Sequence, residues 1–184
     1  MGRVEELWRA GEMPGRDGLY RPDDTGSELY VEGPGAYHPD AGQPVPFRIG
    51  GPFDVARAVE EHGADEVDTF FESPLPDGTG WLTGGGGGMG NIGHLARLDA
   101  GRSVRWVAVM FRSNPFVGVR YEGTSAVFTN DWGNRLTLDL AHPALGRPRP
   151  GPGRAAAPAR PGRITAPRPR CGPPGPGRWP SSRA

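Results

Sequence analysis

Four strand-like segments separated by very short loops occupy residues 104–140 and restrict the fold more than any other feature. Residues 104–112 are apolar on both faces, as expected of a central strand. Segments 115–121, 124–129 and 135–140 follow, and turn-forming residues connect them. Because parallel neighbours need a crossover of roughly a dozen residues or more, we predict that these segments form an antiparallel β-meander.

Three further segments extend this prediction. Residues 53–62 have helical apolar spacing, with Pro52 in the first turn and Gly63 as the stop. Residues 66–72 alternate with period two, and residues 92–98 are assigned as a strand that forms a hairpin with the next one. We therefore predict an α+β fold, in which a meander of about five or six strands carries one main helix on one face.

The chain divides by composition into three parts. Residues 1–43 are expected to hold a short helix at 4–10, a small hairpin within 18–32 and a connector rich in Pro and Gly. Residues 44–142 form the predicted α+β core domain. Residues 143–184 form a tail that we predict to be disordered, because Arg, Pro, Gly and Ala make up 35 of its 42 residues.

Charge is distributed very unevenly. All 21 basic residues are arginines, and the formal net charge of the whole chain is +0. The tail holds nine Arg and no acid, so its formal charge is +9, whereas residues 1–142 hold twelve Arg and 21 acids and carry −9. Such asymmetry is typical of a chain whose parts have different partners.

The tail has two interpretations. Its clustered arginines could neutralise phosphates, so that the tail would be an arm for nucleic acid or another anionic surface. Alternatively, a mixture of Gly, Ala, Pro and Arg that begins abruptly is what GC-rich DNA yields when it is translated out of frame. We favour the second interpretation, and nucleic acid remains a partner only through a genuine tail.

Several protein classes are excluded by missing residue types. Without lysine, the chain cannot be a phosphate-loop NTPase or perform Schiff-base chemistry. Cys171 is the only cysteine, so neither an intrachain disulfide nor a cysteine zinc site is expected. The four histidines lack the spacing of a local metal motif. The N-terminus has no signal-peptide core, and we expect a cytoplasmic protein without a membrane partner.

A glycine-rich segment at 84–93 is the most conspicuous motif. It contains the spacing G-x-G-x-x-G at Gly88, Gly90 and Gly93, followed by His94. A dinucleotide site would require a buried strand before this motif and a long helix after it, and the surrounding sequence predicts neither. We interpret the segment as a flexible loop. Its backbone N–H groups could still bind an anion, with His94 as a candidate general base.

An acidic strand offers a candidate surface for a protein partner. Alternation predicts that Asp68, Phe70 and Glu72 share one side of the strand at 66–72. Two tryptophans in glycine-bearing loops could serve as anchors in the same interface, although packing onto the core explains them slightly better. The candidate partner-binding residues are Asp65, Glu66, Asp68, Glu72, Trp81 and Trp132.

Part of the chain resembles a known group of proteins. The helix at 53–62, the paired Phe70 and Phe71, and a meander passing through residues 118–123 and 128–130 resemble small actinobacterial immunity proteins that neutralise deaminase-type toxins. The resemblance covers residues 47–140 and implies an acidic inhibitor that occupies a basic active site. It implies no functional residue by position.

These observations favour binding over catalysis. We assign no catalytic residue, metal or cofactor, and expect a small acidic module that binds a basic partner protein. The alternative is a small-ligand binder or enzyme that uses the glycine-rich loop 84–93 with His94.

Overall fold

The computed structural model describes residues 1–32, 42–88, 90–142 and 145, and its described part is built mainly of β-strands. The two helices are α1 (Arg3–Arg9) and α2 (Val55–His62). The strands are β1 (Glu12–Pro14), β2 (Gly18–Tyr20), β3 (Thr25–Val31), β4 (Phe47–Asp54), β5 (Ala64–Pro74), β6 (Gly80–Gly87), β7 (Ile92–Asp99), β8 (Val104–Met110), β9 (Phe116–Glu122), β10 (Ser125–Asn130) and β11 (Arg135–Asp139).

The larger sheet combines strands from the N-terminal segment with strands from the middle of the chain. Its eight strands lie in the order β1-β5-β6-β7-β8-β2-β3-β4, and neighbours are antiparallel. The hairpin of β2 and β3, expected from the turn residues between them, lies between β8 and β4. The N-terminal strands are therefore part of the same sheet as the predicted core domain.

Contacts divide the chain into two units. Met1–Arg149 contains every described residue, and Pro150–Ala184 forms the other unit. The predicted disordered tail lies outside the described residues except for Leu145, which is buried in the first unit.

The larger sheet is covered on both faces. The smaller sheet, in the order β11-β10-β9, packs on one face, and the core between the two sheets includes Trp106, Phe116 and Phe128. Both helices pack on the opposite face, where Val4 of α1 and Val55 of α2 join a second core. Strands buried on both faces need apolar residues at successive positions, which accounts for the five consecutive buried apolar residues at 106–110 of β8.

The predicted α+β fold is wrong. Eleven strands in two antiparallel sheets and only two short helices are found among the described residues, where a meander of five or six strands with one main helix was expected. The helix predicted at 53–62 exists as α2, but it shares its face of the sheet with α1. Neither described helix is long and apolar enough to span a membrane.

The single meander predicted for residues 104–140 is also wrong, because β8 and β9 belong to different sheets. The connection passes through Asn114, which has a left-handed backbone conformation (φ 58°). The Ser113 hydroxyl donates to the Met110 carbonyl at 3.0 Å, and the Asn114 side chain donates to Asp131 at 3.0 Å. A short loop therefore does not prove strand pairing, since it can also carry the chain from one packed sheet to the other.

Asn130 fixes this crossing, and replacing it should weaken the fold. Its buried side-chain amide donates to the Ser113 carbonyl at 2.7 Å and accepts from the Asn134 N–H at 2.8 Å. Asn130→Ala leaves both backbone groups without this partner, so we expect a loss of about 2 kcal/mol in urea unfolding. Asn91→Ala, at an exposed turn position, is the control. Equal unfolding midpoints for the two variants would contradict the assigned role.

Candidate functional site

The glycine-rich segment is mostly strand and not loop. Four of its five consecutive glycines complete β6, which pairs with β5 on one side and β7 on the other. A Cβ on Gly85 would stand 1.8 Å from the Asp68 carbonyl oxygen, and one on Gly86 would stand 2.8 Å from the Pro115 ring. Side chains are therefore excluded here by neighbouring atoms, and the glycine run has a structural explanation.

The four candidate ligand-loop residues are divided between a turn and a strand. Gly88 and Gly90 have positive φ and lie between β6 and β7, whereas Gly93 and His94 belong to β7. A Cβ on Gly93 would stand 2.2 Å from the Asn114 carbonyl oxygen. This strand–turn–strand arrangement differs from the strand–turn–helix arrangement that presents N–H groups to a dinucleotide.

His94 is enclosed in the core between the larger sheet and the helices. Its side chain has no solvent exposure and packs edge-on against Trp8, with ring centroids 5.8 Å apart. Burial lowers the pKa of His94 from 6.5 to about 4, and the nearby Gly86 backbone and Asp68 charge offset this only partly. No hydrogen bond of normal geometry reaches either ring nitrogen within the described residues. The imidazole is therefore neutral at pH 7 and inaccessible to a substrate in solution.

β5 is an open edge strand over most of its length. β1 pairs only with residues 64–66, and the Val67 N–H donates to the Gly11 carbonyl at 2.9 Å. From Asp68 to Pro74, no strand of the described chain pairs with this edge. We call residues 68–74 the open β5 edge. Such an edge presents unpaired backbone donors and acceptors to solvent.

A β-bulge at Phe70 distinguishes this edge from a regular strand. The register with β6 shifts between Thr69 and Phe71, and Phe70 is 53% exposed. Phe71 instead packs against the core between the sheets, with its ring 6.2 Å from that of Phe128. The bulge thus separates two adjacent phenylalanines, burying one and presenting the other to solvent.

The acidic residues of β5 do not form one patch. Glu72 pairs with Thr83 and Asp68 with Gly86, and positions 83 and 86 point to opposite faces of β6. The prediction that Asp68 and Glu72 share a side is therefore wrong, because the bulge inserts one residue between them. Asp65 and Glu66 lie near the β1 end of the strand, opposite Met13 and Glu12.

Arginine partners further separate these acids. Glu72 forms an ion pair with Arg102, and the Arg102 guanidinium lies 4.3 Å from the centroid of the Trp81 ring. None of the other three acids, Asp65, Glu66 and Asp68, has an arginine within ion-pair distance in the described part of the chain. The open β5 edge and the part of β5 that precedes it therefore carry negative charge that no arginine neutralises.

The two tryptophans lie in different parts of the fold. Trp81 belongs to β6, not to a loop, and is half-buried against the core beneath the helices. Trp132 is half-buried in the turn between β10 and β11. The structure thus brings Trp81 together with Glu72 but does not place Trp132 on the same sheet.

The exposure of Phe70 at a bulge could have been predicted from the sequence, although a strict period-two assignment does not predict it. Two consecutive large apolar residues interrupt a period-two pattern, and such an interruption indicates a bulge. Arg97 is a second overlooked position, because it interrupts the apolar sequence of β7 between Leu95 and Leu98. A charged residue at such a position indicates a polar opening in the core.

Among the described residues, no group of three or more His, Cys, Asp or Glu could hold a metal ion.

Comparison with known proteins gives no relatives: no family model matches the chain, and no curated protein or solved structure is significantly similar.

Proposed function

We propose that the protein is a non-enzymatic binding module that receives an extended basic segment of a partner protein along the open β5 edge. The observation that carries this proposal is the unpaired edge from Asp68 to Pro74 with Phe70 exposed at its bulge. A segment added as a further strand would satisfy the free backbone groups of the edge. Phe70 would supply the apolar anchor, since aromatic residues dominate many interfaces.

Charge selects the kind of partner. Residues 1–142 carry a formal charge of −9. Among the described residues, Asp68 on the open β5 edge and Asp65 and Glu66 beside it have no arginine within ion-pair distance, whereas Glu72 is paired with Arg102. An extended segment rich in Lys or Arg would approach this surface faster than a neutral one, and an acidic segment would be repelled. Inhibition of a basic toxin, as the resemblance to immunity proteins implies, would be one instance of this function.

The enclosed position of His94 argues for binding rather than catalysis. A general base must come within hydrogen-bond reach of the proton that it removes. Trp8 and the strands around β7 exclude a substrate from the imidazole of His94. Most of the glycines that could have formed an anion-binding loop lie in β6 and β7, where a Cβ would meet neighbouring atoms, and only Gly88 and Gly90 remain in the turn.

A peptide selection tests this proposal on the full-length protein. A displayed library of random octapeptides would be selected at low salt, and enriched peptides would be synthesised with and without N-methylation at alternate positions. We expect enrichment of Lys and Arg, and loss of binding on N-methylation, because the methyl groups remove strand hydrogen bonds. Selected peptides without basic residues, or with unchanged affinity after N-methylation, would overturn the proposal.

Phe70→Ser should weaken binding of the selected peptides about tenfold, because truncation of an exposed aromatic anchor costs at least 1 kcal/mol or so. Tyr30→Ser is the matched control, since Tyr30 is an aromatic residue that is 40% exposed on β3, and four strands separate β3 from β5 in the larger sheet. Dissociation constants from fluorescence anisotropy decide between them. If Tyr30→Ser weakens binding as much as Phe70→Ser does, the peptide does not occupy the β5 edge.

A further inference from the structure

An open cleft of about 340 Å³ lies where one end of the larger sheet meets the smaller sheet. One wall comes from the β5–β6 turn and the end of β7, and the other from the β9–β10 turn and the residues after β11. It is lined by Leu75, Pro76, Asp77, Arg97, Tyr121, Gly123, Thr124, Leu140 and Ala141. The volume is within the range of sites that hold small organic ligands, about 300–1,000 Å³.

Arg97 is the cationic group of this cleft. It belongs to β7 and lies on the same face as Leu95, which is buried in the core between the sheets. Its guanidinium makes a long hydrogen bond of 3.4 Å to the Thr79 hydroxyl. Within the described residues, no carboxylate lies within ion-pair distance of it. Arg97 therefore keeps most of its fork of N–H donors available to a ligand.

Asp77 lines the cleft but forms no ion pair with Arg97. Hydrogen bonds from Thr79, and to a lesser extent the charge of Arg97, lower the pKa of the Asp77 carboxyl group. One oxygen of its carboxylate accepts from the Thr79 N–H at 3.0 Å and from the Thr79 hydroxyl at 2.7 Å. These bonds hold Asp77 within its own turn. The cleft thus presents one guanidinium that has no ion-pair contact within the described part of the fold, next to the Asp77 carboxylate that Thr79 holds in its turn.

The remaining walls are largely apolar. Leu75 is only 4% exposed, and Tyr121 and Leu140 pack against the core between the sheets. The Tyr121 hydroxyl donates to the Ser73 carbonyl at 3.4 Å, so the ring edge is directed toward β5. A ring or short alkyl chain could cover these apolar surfaces while a charged end reaches Arg97.

We infer that this cleft binds a small organic acid whose carboxylate pairs with Arg97 and whose apolar body contacts Leu75, Tyr121 and Leu140. Guanidinium and carboxylate groups form two parallel hydrogen bonds, which gives both strength and orientation. The inference is independent of the proposed partner site on the open β5 edge. It assigns the molecule a second type of ligand, which could be a free acid or the C-terminus of a peptide.

Three probes of the same size distinguish the ligand chemistry. Phenylacetate, its neutral amide phenylacetamide and the cationic phenethylamine would be titrated into the full-length protein and followed by amide chemical shifts. We expect phenylacetate to bind at least tenfold more tightly than the other two, with shifts in residues 75–79 and 121–124. Equal binding of acid and amide, preference for the amine, or shifts confined to other regions would overturn the inference.

Variants of Arg97 complete the test. Arg97→Gln should remove the preference for phenylacetate over phenylacetamide, and Arg97→Lys should keep part of it because the charge remains without the planar fork. Arg105→Gln is the matched control, since Arg105 lies on β8 outside the cleft and pairs with Asp99 at 3.1 Å. A preference that survives Arg97→Gln, or is lost equally in Arg105→Gln, would contradict the assignment. An N-acetylated dipeptide with a free carboxyl group would then distinguish a peptide C-terminus from a free acid.

Discussion

Gly85→Ala is expected to destabilise the protein by more than about 4 kcal/mol, at the extreme of what single substitutions do. The methyl group would stand 1.8 Å from the Asp68 carbonyl oxygen and 2.9 Å from the Phe70 backbone nitrogen. Both are backbone atoms of β5, at or next to its bulge, so no side-chain rotation can relieve the overlap. The backbone of β5 or of β6 would have to move, and β6 is held on both sides by its pairing with β5 and β7.

Gly118→Ala is the matched control for this substitution. Gly118 is also a strand glycine, but a Cβ there meets nothing within 4 Å. Alanine should be neutral or stabilise by a few tenths of a kcal/mol, because it reduces the entropy of the unfolded chain. Urea unfolding and the yield of folded protein would be compared for the two variants. Similar midpoints would mean that β5 and β6 do not approach each other as closely as described.

Gly85 and the neighbouring glycines of β6 show what a local sequence pattern cannot predict. Consecutive glycines predict a loop, because glycine has no side chain to pack and costs entropy in a strand. In the folded chain, glycine is nevertheless needed at position 85, because β5 next to its bulge places a carbonyl oxygen where a Cβ would stand. The decisive contact joins residues 17 positions apart in sequence, so no local window contains it.

Elements defined by local spacing were predictable, and their arrangement was not. Alternation and turn residues located β9, β10 and β11 closely, and helical spacing located α2. Nothing local indicates that β2 and β3 lie between β8 and β4, because this pairing depends on contacts between distant parts of the chain. Nor does a short loop after β8 reveal that the chain crosses to the other sheet.

The candidate site shows the same division. The acidic character of β5 is evident from composition, but the open edge follows from the shortness of β1, which covers only three of its residues. His94 adjoins the glycines in sequence, which suggested a loop site. Its position on β7 instead directs it toward Trp8 of α1, a contact that links residues from two distant segments.

His94 should make the stability of the protein fall as the pH is lowered from 7 to 4. An unfolded histidine titrates near pH 6.5, whereas burial lowers the pKa of His94 in the folded state to about 4. Between these values the unfolded chain binds the proton and the folded protein does not, so protons favour unfolding. The stability contributed by the neutral folded imidazole is complete above about pH 6.5 and is lost progressively toward pH 4. Over that interval the loss approaches about 3 kcal/mol.

Comparing unfolding free energies of wild type and His94→Leu at several pH values isolates this effect, because carboxylates that titrate in the same range are common to both. We expect the difference between the two proteins to change by about 3 kcal/mol between pH 7 and pH 4, with the variant favoured at low pH. His62→Gln, at an exposed position on α2, should follow the wild type. Parallel curves for wild type and His94→Leu would mean that the imidazole accepts a proton within the folded protein. Water would then have to reach the surroundings of Trp8. His94 could in that case no longer be excluded as a general base.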